Sequence, residues 1–196
     1  MDEVGRGALA GPVSVGAVMI HAAGISASPP TGLADSKALS PKRREQLVEP
    51  IVNWANRTAV GHATSKEVDQ VGILGALRFA GQRALQQIQA SSQTNLSQGG
   101  VVVLLDGNHD WLTSTSMPGK APPVQLVLKG DSLSATIAAA SVIAKVTRDA
   151  AMTALDLEHP EYQWASNKGY ASAAHQDAIR RLGTTGYHRV SWRLPQ

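Results

Sequence analysis

Residues 101–107 read Val-Val-Val-Leu-Leu-Asp-Gly, and residues 124–131 read Val-Gln-Leu-Val-Leu-Lys-Gly-Asp. The unbroken apolar run from Val101 to Leu105 marks a strand buried on both faces, of the kind found in sheets covered by helices. Each stretch ends in a carboxylate, Asp106 and Asp131, where a strand meets its loop. Working outward, Val13–Ile20 and Ala59–Ala63 read as further strands. Between them Ser40-Pro41 supplies an N-cap and a first helical residue for a helix running to about Ala55. From Ser65 apolar residues recur at Ile73, Leu74, Leu77, Ala80, Ala84, Leu85 and Ile88, a helical period in two pieces around Gly72. Residues 132–158 are alanine-rich and helical, and residues 171–182 form a last helix closed by Gly183. Residues 21–32, 91–100 and 113–123 read as loops. Strands alternating with helices give an α/β domain, a mixed sheet flanked by helices.

The 196 residues suit one domain spanning 1–196. With 43% hydrophobic and 17% charged residues the chain is globular rather than disordered. A net charge of +3 admits a polyanionic partner without requiring one. Cysteine is absent, which excludes disulfides, thiolate zinc sites and a cysteine nucleophile, and fits a reducing compartment. No apolar run reaches the roughly 20 residues of a membrane span, and the acidic start is unlike a signal peptide. The expectation is a cytoplasmic monomer that makes no use of a membrane.

Asp2 and Glu3 are adjacent and precede Gly5-Arg6-Gly7. Neighbours on a strand face opposite ways, so both serve one site only if the strand ends there, a bend that the glycines ease. Sheets of this class gather their sites at strand ends, so Asp2, Glu3, Asp106 and Asp131 converge from three segments. Four clustered carboxylates repel one another unless cations neutralise them. An oxygen-only donor set selects magnesium or manganese over zinc. Two such ions about 4 Å apart suit in-line hydrolysis of a phosphodiester. Spacing alone does not decide this, because acids at strand ends also serve as helix caps and as solvated loop residues.

The wording of the motifs goes further. Asp2-Glu3-Val4-Gly5-Arg6-Gly7-Ala8-Leu9-Ala10-Gly11-Pro12-Val13 resembles the opening signature of ribonuclease HII. Asp35-Ser36-Lys37-Ala38-Leu39-Ser40, Leu105-Asp106-Gly107 and Lys129-Gly130-Asp131, with the helix from Ile137 to Asp149, are similar to that family's next blocks. Asn167-Lys168-Gly169-Tyr170, His175 and His188-Arg189-Val190-Ser191-Trp192 resemble its closing ones. The resemblance covers nearly the whole chain in order. It implies a ribonuclease H-like fold with a C-terminal helical segment, about residues 160–196, that contacts substrate.

It further implies metal binding and catalysis by Asp2, Glu3, Asp106 and Asp131 with Mg2+ or Mn2+. Gly5, Arg6 and Gly7 would read the ribose 2′-hydroxyl, and Tyr170 would meet the sugar at an RNA–DNA junction. By charge Lys37, Lys129 and Lys168 are candidate phosphate contacts, while Lys145 reads as an ordinary solvated lysine. The substrate would be an RNA–DNA hybrid or a DNA duplex with embedded ribonucleotides, cut 5′ of the ribonucleotide to leave 3′-hydroxyl and 5′-phosphate ends. A chain starting almost on its first acid is expected to fray there and to set an α-amino cation beside the metals. The alternative reading is therefore a hybrid-binding protein with impaired catalysis. His109-Asp110 reads as loop, Asp149 as a salt bridge or cap, and His175 and His188 as hydrogen-bonding structural residues.

Overall fold

The structure is a computed structural model that describes residues 1–21, 27–92, 95–96, 100–113 and 122–195. Strand β1 (Asp2–Val4) lies antiparallel to β2 (Val13–Met19), with Asp2 opposite Gly16 and Glu3 opposite Val15. Helix α1 (Pro41–Trp54) follows, capped by the Ser40 hydroxyl, which accepts from the Arg43 N–H. Strand β3 (Arg57–Ala63) returns antiparallel to β2, placing Gly61 opposite Val15. After helix α2 (Ser65–Ser92), β4 (Val103–Asp106) and β5 (Val124–Val127) pair in parallel.

Met1 joins the two sets. Its amino group donates to the Leu104 carbonyl at 2.6 Å, and the Asp106 N–H donates to the Met1 carbonyl at 3.1 Å. Bonds to residues 104 and 106 from one residue have the spacing of a parallel ladder. The strands therefore read as one mixed sheet of order β3-β2-β1-β4-β5. Met1 is buried and doubly bonded, so the expected fraying at the start of β1 is not what the structure shows.

Two glycines let helices lie directly on opposite faces of this sheet. A Cβ on Gly61 would run into the Ala80 carbonyl of α2, and one on Gly16 would run into the Ala140 carbonyl. Ala140 belongs to α4 (Ala135–Asp156), which follows the short helix α3 (Gly130–Leu133). The single helix expected over 132–158 is thus two, because Ser134 is extended (φ −128°, ψ 119°). The break suits a turn that must deliver Asp131 before the long helix begins. Gly72, at φ 70° and ψ 169°, interrupts α2 where the sequence suggested two pieces. The main core packs Val15, Leu77, Leu105 and Trp111 between the sheet and α2.

The C-terminal segment holds a 3-10 turn at Pro160–Tyr162, α5 (Trp164–Asn167) and α6 (Ala173–Leu182). Tyr162 stacks on Trp164 with ring centroids 5.2 Å apart. This segment returns to the start of the chain: Leu9 donates to the Gly169 carbonyl at 2.8 Å, and the Arg189 N–H donates to Leu9. Most of the loop read over 113–123 lies outside the described residues, as do parts of the loops at 21–32 and 91–100. Among the described residues no helix is long and apolar enough to cross a membrane.

Candidate active site

β1 does not end at Glu3; it continues through Val4. Asp2 and Glu3 accordingly project to opposite faces, contrary to the bend expected from the sequence. Asp2 shares its face with Gly16 and α4, where the buried Ser141 hydroxyl meets its carboxylate. Ser141 in turn donates to the Ser36 hydroxyl at 2.6 Å. Glu3 turns toward Trp111 and Arg6, whose Nη1 is 3.4 Å from its carboxylate. Both nonetheless feel the charge of Asp106 at the end of β4.

Asp106 is the last residue of β4. Its carboxylate accepts the Gly130 N–H at 2.7 Å, which anchors the turn carrying Asp131. Lys129 supports that turn in the left-handed conformation (φ 56°), uncommon for a residue with a side chain. The charge of Asp106 acts on Asp2, Glu3 and Asp131 alike. Burial beside Glu3 and Asp106 pushes the Asp2 carboxyl from 3.8 up to about 7, against the Ser141 bond. Burial also raises Glu3, opposed by Arg6. Asp131 is raised by burial and by Asp35 and Asp106, with Lys37 opposing. These shifts share one sign, with burial the largest cause in each and the neighbouring acids adding to it.

The cluster is not a closed cage. Among the described residues no three carboxylate or imidazole side chains stand close enough together to enclose an ion. The donor set is nonetheless all hard oxygen, and Lys37 already answers its charge. The Lys37 ammonium lies 3.9 Å from Asp131. Burial would lower its pKa, and Asp35, Asp2, Asp131 and Asp106 outweigh that and raise it. Asp2, Glu3, Asp106 and Asp131 therefore fit a divalent cation by the chemistry of their donors. A cavity of about 720 Å³ elsewhere, lined by Met19, Trp54, Leu85 and Val101, includes none of these acids.

The remaining expected substrate residues divide. Gly5, Arg6 and Gly7 form the turn directly after β1, with Arg6 and Gly7 exposed. Tyr170 is 37% exposed, and its ring lies 5.5 Å from the Arg148 guanidinium. Gly169 beside it has φ 81°, and a Cβ there would meet the Ala10 backbone, so glycine is required. Lys168 does not present a free ammonium: its Nζ donates to Thr153 at 2.8 Å and to the Ala165 carbonyl at 2.5 Å. Lys145 is paired with Asp149 at 2.8 Å. Asp110 accepts the Leu112 and Thr113 N–H groups, a loop cap.

Several residues at the site lay outside the candidates drawn from the sequence. Asp35 adds a fifth acid next to Asp131 and Lys37. Ser141 and Arg148 carry a signal that sequence could have given. At helical spacing they fall on the same buried stripe of α4 as Ala144 and Met152, polar residues where apolar ones pack.

The ribonuclease HII family model matches residues 1–194. Ribonuclease HII of Streptomyces avermitilis is 45% identical over 192 residues, covering 98% of this chain and 75% of that one. The enzyme of that name from Chromohalobacter salexigens is 42% identical, covering 98% and 86%. Ribonuclease HII of Archaeoglobus fulgidus, solved in a complex with PCNA, has the same fold: TM-score 0.71, 23% identity, 100% and 94% of the two chains covered. Bst ribonuclease HIII, solved with Mn2+, superposes with TM-score 0.73 at 18% identity, over 98% of this chain and 65% of that one.

Proposed function

This chain belongs to the ribonuclease HII family, and we propose that it cuts the phosphodiester 5′ of ribonucleotides in RNA–DNA hybrids and in DNA duplexes with embedded ribonucleotides. The products are a 3′-hydroxyl and a 5′-phosphate. The observation that carries the proposal is the coupling of Asp2, Glu3 and Asp131 through Asp106 at one end of the sheet.

Asp2, Glu3, Asp106 and Asp131 are the residues that would hold Mg2+ or Mn2+. Bound there, such ions would supply Lewis-acid activation of a water and stabilisation of charge at the phosphodiester. The chain's own part is orientation. The Glu3 N–H donates to the buried Asp2 carboxylate, which lies against Ser141, and the Asp106–Gly130 bond fixes the turn that carries Asp131. Lys37, 80% exposed and set among the acids, meets a phosphate of the incoming strand. Lys129 is a further phosphate contact from the same turn. Gly5, Arg6 and Gly7 face the ribose, whose 2′-hydroxyl separates RNA from DNA, and Tyr170 meets the sugar across the junction. Lys168 contributes through its backbone, since its ammonium is engaged with Thr153 and Ala165. The same reading has the protein working as a monomer in the cytoplasm, removing misincorporated ribonucleotides.

The test is cleavage of a duplex carrying one ribonucleotide, with Mg2+ or Mn2+ and the cut position mapped. Wild type should cut 5′ of the ribonucleotide, and Asp131→Asn should bind and melt like wild type without cutting. An all-DNA duplex cut equally well would overturn the proposal.

A further inference from the structure

Arg148 and Arg189 are fully buried, and all their hydrogen bonds go to main-chain carbonyls. Arg189 donates from Nη2 to Gly5 at 2.7 Å and from Nη1 to Arg6 at 2.9 Å. It reaches Gly11 from Nη2 at 3.1 Å and from Nε at 3.3 Å. Arg148 donates to Pro12 at 2.8 Å, to Ala10 at 3.2 Å and to Lys168 at 2.9 Å. Among the described residues neither guanidinium forms an ion pair. Burial pulls the Arg189 pKa down to about 10. Packing alone would be served better by an apolar residue of that size.

Peptide geometry shows what these bonds achieve. The peptide unit is planar and trans, so a carbonyl drawn inward sends the N–H of the same unit outward. Arg189 draws in the carbonyls of Gly5 and Arg6, which turns out the N–H groups of Arg6 and Gly7. Among the described residues those two N–H groups have no protein acceptor, and both residues are exposed. They form a pair of donors beside Glu3, ready for an oxygen of the substrate. Arg148 fixes the facing loop through Lys168, and Gly169 accepts from both Leu9 and Ala10. The donor pair and Tyr170 are thereby held in one relation.

We propose that Arg189 is a positioning residue for ribonucleotide recognition: it orients the Arg6 and Gly7 amides toward the ribose 2′-hydroxyl oxygen. This rests on the reading of the site as a ribonucleotide-directed nuclease. Lysine cannot replace arginine here, because an ammonium lacks the planar fork that spans the Gly5, Arg6 and Gly11 carbonyls at once.

The test measures binding by the cleavage-silent Asp131→Asn protein to two duplexes that differ only in one 2′-hydroxyl. Arg189→Lys in that background should lower the ribonucleotide preference about tenfold while binding to the all-DNA duplex changes little. A preference that survives in a folded Arg189→Lys protein overturns the proposal, and so does a parallel loss of both affinities. Should Arg189→Lys fail to fold, Gly7→Pro decides, since it removes one of the two amides and leaves the guanidinium in place. Loss of preference supports the proposal and its retention overturns it. If the Asp131→Asn protein itself shows no preference, the reading of the site fails, and this inference falls with it.

Discussion

The Lys37 ammonium stands 3.9 Å from the Asp131 carboxylate and within the field of Asp2, Asp35 and Asp106. An exposed lysine in that position competes with a metal cation for the acids while attracting the phosphate of a substrate. The two roles predict opposite responses to its removal. Lys37→Ala should bind Mg2+ up to about fivefold more tightly, the scale of an exposed ion pair. The same variant should bind hybrid duplex more weakly, with its salt slope reduced by about 1. Calorimetric titration with Mg2+, and anisotropy against salt with the duplex, read the two effects separately. Weaker binding of both would assign Lys37 to holding the site together instead.

Asp2 predicts a stability that depends on pH when metal is withheld. Its folded pKa of about 7 lies above the unfolded value of 3.8, so the folded state keeps a proton that the unfolded state releases between those limits. Stability contributed through Asp2 is therefore greatest below that window and is lost as pH rises through it. Other buried groups titrate nearby, so the difference between wild type and Asp2→Asn isolates this one. With chelator at pH 8 the Asn variant should be more stable by roughly 1–3 kcal/mol, and at pH 4 the two should agree. Urea melts at the two pH values check it. A less stable variant at pH 8 would mean that the carboxylate is compensated.

The strands at Val13, Val101 and Val124 were legible from their apolar runs, and Asp106 and Asp131 because each follows such a run. Burial on both faces holds for β2 alone: β4 is buried at alternate residues and β5 is half exposed. The direction of Glu3 was not legible. Whether β1 stops at residue 3 or runs to Val4 depends on pairing with β2, a long-range fact. The break at Ser134 was hidden for a related reason. Ser134 is an N-cap residue type, but several serines and threonines stand nearby, and which of them starts the helix goes with the docking of Gly130 on Asp106. Arg189 was legible only as a motif letter, since its role depends on carbonyls more than 170 positions away.

Gly16 offers a test of how tightly α4 must sit on the site. A methyl there would collide with the Ala140 carbonyl and come within 3.0 Å of the Ala144 side chain, and helix backbone cannot yield as a flexible side chain does. Gly16→Ala should cost roughly 1–3 kcal/mol or more. It should also reduce turnover, because Ser141 and Asp2 meet across the same contact. Gly186→Ala, whose added methyl meets nothing within 4 Å, is the stability control. Chemical denaturation of the two variants compares them directly, and equal stabilities would show that α4 has room to shift.

His188 and His175 lie buried with their Nε2 atoms 3.1 Å apart, and their other bonds settle which one donates. The Thr185 N–H donates to His188 Nδ1 at 2.9 Å, so the His188 proton is on Nε2. His175 Nδ1, 2.9 Å from the Tyr170 carbonyl, carries its proton there, which leaves Nε2 to accept from both Trp164 and His188. Neither ring can take a second proton without losing an acceptor. Burial and the neighbouring His175 pull His188 from 6.5 down to about 4, and burial lowers His175 as well. A lowered histidine contributes stability that is fully present above the unfolded pKa of 6.5. That stability is lost as pH falls through the folded value of about 4. Between pH 6.5 and 4 the segment around Tyr170 should therefore weaken, by about 3 kcal/mol at the lower limit. The Trp164 indole N–H reports on it directly, since it donates to His175. In nitrogen-15 spectra its exchange with solvent should slow less and less as pH is lowered from 7 to 4, after correction for intrinsic exchange. His188→Gln should flatten that dependence, because glutamine takes up no proton. A Trp164 protection factor that stays constant over this range would mean that the imidazole pair does not govern the order of the segment.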